Sequence, residues 1–148
     1  MKSLFEVEPR AEILRRLAGL RPDSPRRWGS LTPAQIVIHC LDTFDYTFGV
    51  KDTEPPKGPM QSGLARWMVI DSPLPWPRGV RTAPQFFESE PRAFDDDLAK
   101  LRACVERFSQ GKSHATWGRS PMLGALTAEQ WSRLQYRHLD HHLRQFGL

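Results

Sequence analysis

The last stretch of the chain, TAEQWSRLQYRHLDHHLRQF from Thr127, constrains the fold most, because a helix drawn through it cannot bury its apolar face without burying two histidines. At 100° per residue with Trp131 at zero, Leu139, Leu143 and Phe146 fall between about 60° and 120°. His142 falls at about 20° and His138 at about 340°, inside the same sector. Arg133, Arg137, Asp140 and Arg144 lie between about 180° and 240° and are expected to face solvent. His141 sits at the boundary. His138 and His142 are one turn apart on the inward side, so their rings can converge on one ion at about 2.0 to 2.1 Å. Imidazoles buried among Leu, Trp and Phe are costly unless their nitrogens find partners. A metal ion satisfies both at once; the alternative is a polar network with Gln145, His141 and Tyr46.

A second helix is expected from Leu31 to about Gly49. Thr32 caps it, Pro33 suits its first position, Gln35 completes a capping box, and Leu31 with Ile36 forms a hydrophobic staple. The sequence before the last helix repeats the recipe: G-S-L-T-P-A-Q from Gly29 and G-A-L-T-A-E-Q from Gly124. The second helix is apolar nearly all round, yet Gln35, His39, Asp42 and Tyr46 share one stripe. Such a stripe faces water or a polar site inside a bundle. Paired with a histidine-rich helix it supplies His39 as third ligand, with Asp42 or Tyr46 beside it or at a substrate. Cys40 is turned about 100° away and belongs to the core.

Residues 8–20 place Ile13, Leu14, Leu17 and Leu20 at helical spacing, between Pro9 and Pro22. Residues 92–110 do the same with Phe94, Leu98, Leu101, Val105 and Phe108, ending at Gly111. Residues 51–91 hold most of the prolines, and only SGLARWMVI there suits a short helix, so the segment reads as an irregular excursion that wraps the helices. His114 reads as an exposed loop residue. No strand-like alternation competes. The fold class expected is all-α: a four-helix bundle in one domain spanning 1–148, with a proline-rich excursion between its second and third main helices.

Composition excludes more than it assigns. No apolar run approaches the roughly 18 residues of a membrane span, and Glu6, Glu8 and Glu12 interrupt any secretory signal, so a cytoplasmic protein is expected, without membrane partners. Two isolated cysteines make no disulfide framework. The balance of 21 Lys and Arg against 17 Asp and Glu is basic, but the arginines are spread along the chain without aromatic-basic platforms, so no nucleic-acid partner is expected.

The runs RRWGSLTPAQIVIHCLDTF, PWPRGVRTAPQF and LGALTAEQWSRLQYRHLDHHLRQFGL, together covering most of the chain from about Arg26, resemble a branch of the DinB-like bacterial proteins of the damage-inducible YfiT type. The most specific part is RHLDHHLRQFG. The resemblance implies a four-helix bundle, often a homodimer, in which three histidines hold zinc, nickel or another divalent ion. His39 matches the ligand of the second helix, and His138 with His142 matches the H-x-x-x-H pair of the last. Many relatives carry a histidine where this chain has Ser120, a departure that bears on any role of that imidazole. The resemblance also implies a metal-dependent enzyme acting on a small molecule, by hydrolysis or with a thiol cofactor. Three imidazoles with an open coordination position fit catalysis, whereas closed structural sites take four ligands. Asp42, Tyr46 and His141 are the candidate proton acceptors. The readings that compete are a metal-binding or ligand-sensing bundle without catalysis and an interaction module with a buried histidine network.

Overall fold

A computed structural model describes residues 1–54, 58–79, 89–111 and 116–148. His114 and part of the proline-rich stretch, 55–57 and 80–88, lie outside the described residues. Those described are mostly helical. Helix α1 (Val7–Gly19) carries Glu8 in its first turn and Arg16 in its last, both favourable to the helix dipole, and buries Ile13 and Leu17. Helix α2 (Pro33–Thr47) starts at the expected capping box: Gln35 N donates to Thr32 Oγ1 at 3.2 Å and Thr32 N donates to Gln35 Oε1 at 2.9 Å. It stops two residues short of Gly49, with Phe48 as its cap. Residues on every side of α2 are buried, including Ile36, Val37, Cys40 and Phe44, which makes it the central helix.

Gly58–Ser72 forms a 3₁₀ turn (Pro59–Gln61), a single α turn α3 (Gly63–Arg66) capped by Ser62, and a π turn (Trp67–Asp71). The expected short helix is therefore present, but widened at its end. Helix α4 (Phe94–Gln110) opens on Asp95, Asp96 and Asp97 and ends at Gly111. It buries Leu101, Val105 and Phe108 against α2 and α1. Two-residue strands β1 (Arg119–Ser120) and β2 (Gly124–Ala125) pair antiparallel and deliver the chain into α5 (Ala128–Arg144). That ladder is too short for alternation to announce it. The α5 capping box repeats that of α2 at the same distances, 3.2 Å from Gln130 N to Thr127 Oγ1 and 2.9 Å from Thr127 N to Gln130 Oε1.

Helices α2, α4, α1 and α5 enclose one core in which Phe5 and Phe108 stack at 5.0 Å and Trp117 lies 4.9 Å from Phe108. Helix α5 buries Trp131, Leu139 and Leu143 as its periodicity requires. Its opposite face differs from the wheel reading: of Arg133, Arg137, Asp140 and Arg144, only Arg144 is exposed. Arg133 pairs with Asp71 at 2.7 Å, Arg137 donates to the carbonyls of Ser72 and Leu74, and Asp140 receives Arg16 at 2.8 Å. Charged groups cover this face because the excursion and α1 carry matching carbonyls and charges. No helix among the described residues is long and apolar enough to cross a membrane.

One glycine joins α2 to the start of α5. Gly118 N donates to the Thr47 carbonyl at 3.0 Å, and the Gly118 carbonyl accepts from Trp131 Nε1 at 3.1 Å. A methyl group on Gly118 would collide with the Tyr46 carbonyl oxygen and come within 2.8 Å of Gly49 N. Backbone cannot yield as a flexible side chain does, so Gly118→Ala is expected to cost about 3 kcal/mol, the upper range for overpacking. Denaturant unfolding measures it; a variant as stable as wild type would show that the two segments separate freely.

Candidate metal centre

His39 comes from the middle of α2, and His138 and His142 from successive turns of α5. All three are buried. The Nε2 atoms of His39 and His138 are 2.9 Å apart and those of His138 and His142 3.0 Å apart. The ligand atoms of the three rings lie within 4.8 Å of one another, a group that can hold a metal ion.

The hydrogens on these rings follow from their other nitrogens. Thr43 Oγ1 donates its only hydrogen to the Cys40 carbonyl at 2.7 Å, so toward His138 Nδ1, 3.4 Å away, it can only accept. His138 Nδ1 therefore bears the hydrogen and its Nε2 is bare. Gln145 Oε1 is an acceptor 3.1 Å from His142 Nδ1, which leaves His142 Nε2 bare as well. Two lone pairs thus face each other across 3.0 Å. His39 can donate to only one of them, so no placement of ring hydrogens makes both contacts favourable. Protonation does not relieve the clash. Burial, reinforced by the neighbouring imidazoles, holds His138 well below the ordinary histidine value and pushes His142 down to about 3. A cation placed among the three nitrogens turns the repulsion into coordination, so the residues present fit a divalent ion and the bare tautomer is the one that binds it.

The hydrogen-bond partners of the ligands are themselves fixed. Gln145 lies against Gly29, whose φ of 86° suits glycine and whose Cβ, were there one, would sit 2.9 Å from Gln145 Nε2. Arg27 N donates to the Gln145 carbonyl at 2.7 Å. The linker ahead of α2 therefore holds the residue that orients His142.

A family model described as protein of unknown function (DUF1569) matches residues 10–147. The chain belongs to the DUF1569 family. No curated protein and no solved structure matches it. The match takes in all three histidines and both capping boxes of this DUF1569 chain.

Around the triad, Asp42 is buried but engaged elsewhere: Lys51 Nζ donates to it at 2.7 Å, and Ser89 binds it through Oγ at 2.5 Å and N at 3.2 Å. Tyr46 is buried two turns beyond His39 on the same stripe. His141 is half-buried, its ring 5.3 Å from that of His142 and flanked by Trp28 at 4.9 Å and Trp76 at 5.5 Å. Burial lowers its pKa below the ordinary value. Ser120 is buried, and its hydroxyl accepts from the backbone N–H groups of Met122 and Leu123, so it serves the β1–β2 turn. Cys40 is buried, as its angle on the helix requires, and burial raises its thiol pKa. Thr43 and Trp76 were not singled out by sequence. Thr43 lies one turn from His39, a spacing that points to it once His39 is taken as a ligand. No periodic signal points to Trp76.

Two outcomes are expected. In the metal-free protein, His142 titrates near 3 when folded and near 6.5 when unfolded. Between those values the unfolded chain holds the extra proton, so stability falls as pH falls from about 6.5, by about 1.4 kcal/mol per pH unit for His142 alone. Guanidinium unfolding of chelator-treated wild type and His142→Leu should show a shallower pH slope in the variant; equal slopes would mean that His142 is not buried neutral. Thr43→Val removes the acceptor that holds the His138 tautomer and should weaken zinc binding by roughly tenfold, measured by competition with a chromogenic chelator. Unaltered affinity would dismiss Thr43 as an orienting group.

Proposed function

We propose that this chain is a metal-dependent enzyme of the DinB-like type, its helices forming that four-helix bundle, which acts on a small molecule by hydrolysis or thiol transfer. The observation that carries the reading is the convergence of three Nε2 atoms, two of them bare, in a buried site. Three neutral protein ligands are the pattern of catalytic rather than structural sites, where four close the shell. Imidazole donors suit zinc and nickel among the common divalent ions. An ion held there supplies Lewis acidity: it lowers the pKa of a coordinated water or thiol and polarises an electrophile.

The remaining chemistry falls to side chains. His141 is the favoured proton acceptor of the three considered. It is neutral at physiological pH because burial lowers its pKa, it adjoins His142, and it lines an open cleft. Asp42, with its oxygens taken by Lys51 and Ser89, acts by fixing the chain at Ser89 beside α2. Tyr46 closes the inner end of the same stripe.

The test is metal content by mass spectrometry on tag-free protein, joined to turnover of a panel of esters, amides and thiol-acceptor pairs. About one ion per chain is expected in wild type, lost in His39→Ala and in His142→Ala. His141→Gln should keep the ion and lower turnover by about a hundredfold, the scale of one general base. A wild type that refuses added zinc and nickel would remove the metal reading. A loaded protein inert on the whole panel would leave a metal-binding or sensing bundle.

A further inference from the structure

A cleft of about 1100 Å³ opens beside the triad, and His141 forms part of its wall. Trp28 and Trp76 line it as well and approach the His141 ring. Trp76 also lies 6.1 Å from the His138 ring, so one layer of rings separates the cleft from the triad.

The charge of this cleft is one-sided. Lys2, Arg27, Arg78, Arg137 and Arg144 line it, and Asp140 is the single acidic side chain among the described lining residues. Asp140 is already bound by Arg16 at 2.8 Å and Arg144 at 3.1 Å, and Lys2 by Glu12 at 2.5 Å. Arg137 gives its guanidinium hydrogens to the Ser72 and Leu74 carbonyls. Arg78 is different. It is exposed and lies over the Trp28 ring at 5.2 Å, and no carboxylate meets it among the described residues. Arg27 likewise has no carboxylate partner there. The centre behind the wall adds to the field: an ion held by three neutral imidazoles keeps its full positive charge.

We propose that this cleft binds a small organic anion with a planar apolar body, the anionic group against Arg78 and the body against the indoles of Trp28 and Trp76. A planar guanidinium pairs bidentately with a carboxylate, and the half-buried indoles, over which Arg78 and Arg137 lie at 5.2 and 5.7 Å, add apolar ring surface against which a planar body packs with little loss of freedom. As a statement about substrate class it rests on the metal-enzyme reading; as a statement about binding it does not.

The probe is 2-naphthoate, titrated into the protein as purified and followed by the indole N–H resonances and by calorimetry, with metal content measured on the same sample. Saturable binding is expected, weakened about tenfold in Arg78→Gln and by a similar factor when uncharged 2-naphthylmethanol replaces the acid. Arg78 is exposed, so its variant is expected to fold as wild type does, which its unfolding curve checks. Absence of saturable binding, or equal affinity in Arg78→Gln, overturns the proposal. The titration and the metal content of the same sample together separate the two readings. Arg78-dependent binding in a wild type that also refuses added zinc and nickel sustains the cleft and sinks the metal centre, whereas a loaded wild type that ignores the probe does the reverse.

Discussion

Two imidazole nitrogens held 3.0 Å apart in a buried site are both left bare by the hydrogen-bond partners of their rings. Each is bare for a local reason: a threonine hydroxyl whose hydrogen is spent on a carbonyl, and a glutamine oxygen that can only accept. The rest of the structure keeps these nitrogens facing one another. Helix α5 presents both rings from one face, α2 brings the third ring and the threonine, and the linker through Gly29 presses the glutamine into place. A buried histidine network built for its own stability would alternate donors and acceptors. This one turns acceptors toward one another, the arrangement expected of ligands.

With an ion held in the cluster, the electrostatics inside and outside it would have the same sense. The cluster holds no carboxylate to offset a bound cation; the carboxylates nearest in sequence, Asp140 and Asp42, are paired with Arg16 and Lys51. On the outer side, arginines crowd the cleft that His141 and Trp76 separate from the triad. An ion in the cluster would therefore add its charge behind a cleft already lined by cations.

Most of the long elements were legible because their signals are local. The L-T-x-x-Q recipe fixes the starts of α2 and α5, and the spacing of Leu139, Leu143 and Phe146 fixes the inward face that contains His138 and His142. His39 was legible only by pairing its stripe with that face. What the sequence hid depends on how elements meet. A helical wheel shows that Arg133, Arg137 and Asp140 are polar, not that a proline-rich excursion and α1 would cover them. The place of Trp76 against His138 follows from the path of a segment without periodicity, and the hydrogen bond from His138 to Thr43 follows from the register of α5 on α2. The short β1–β2 ladder is set by one turn around Ser120.

The union at Gly118 has a geometric reach beyond its own contacts. It ties the last residue of α2 to the first turn of α5, while His39 sits eight residues back along α2, about 12 Å away at 1.5 Å per residue. Helix α2 is thus a lever arm with its fulcrum at Thr47. A tilt of about 5° at the fulcrum displaces His39 by about 1 Å, twice the roughly 0.5 Å that a preorganised site tolerates. The side chain that glycine lacks at position 118 therefore sets the aim of an imidazole two turns away.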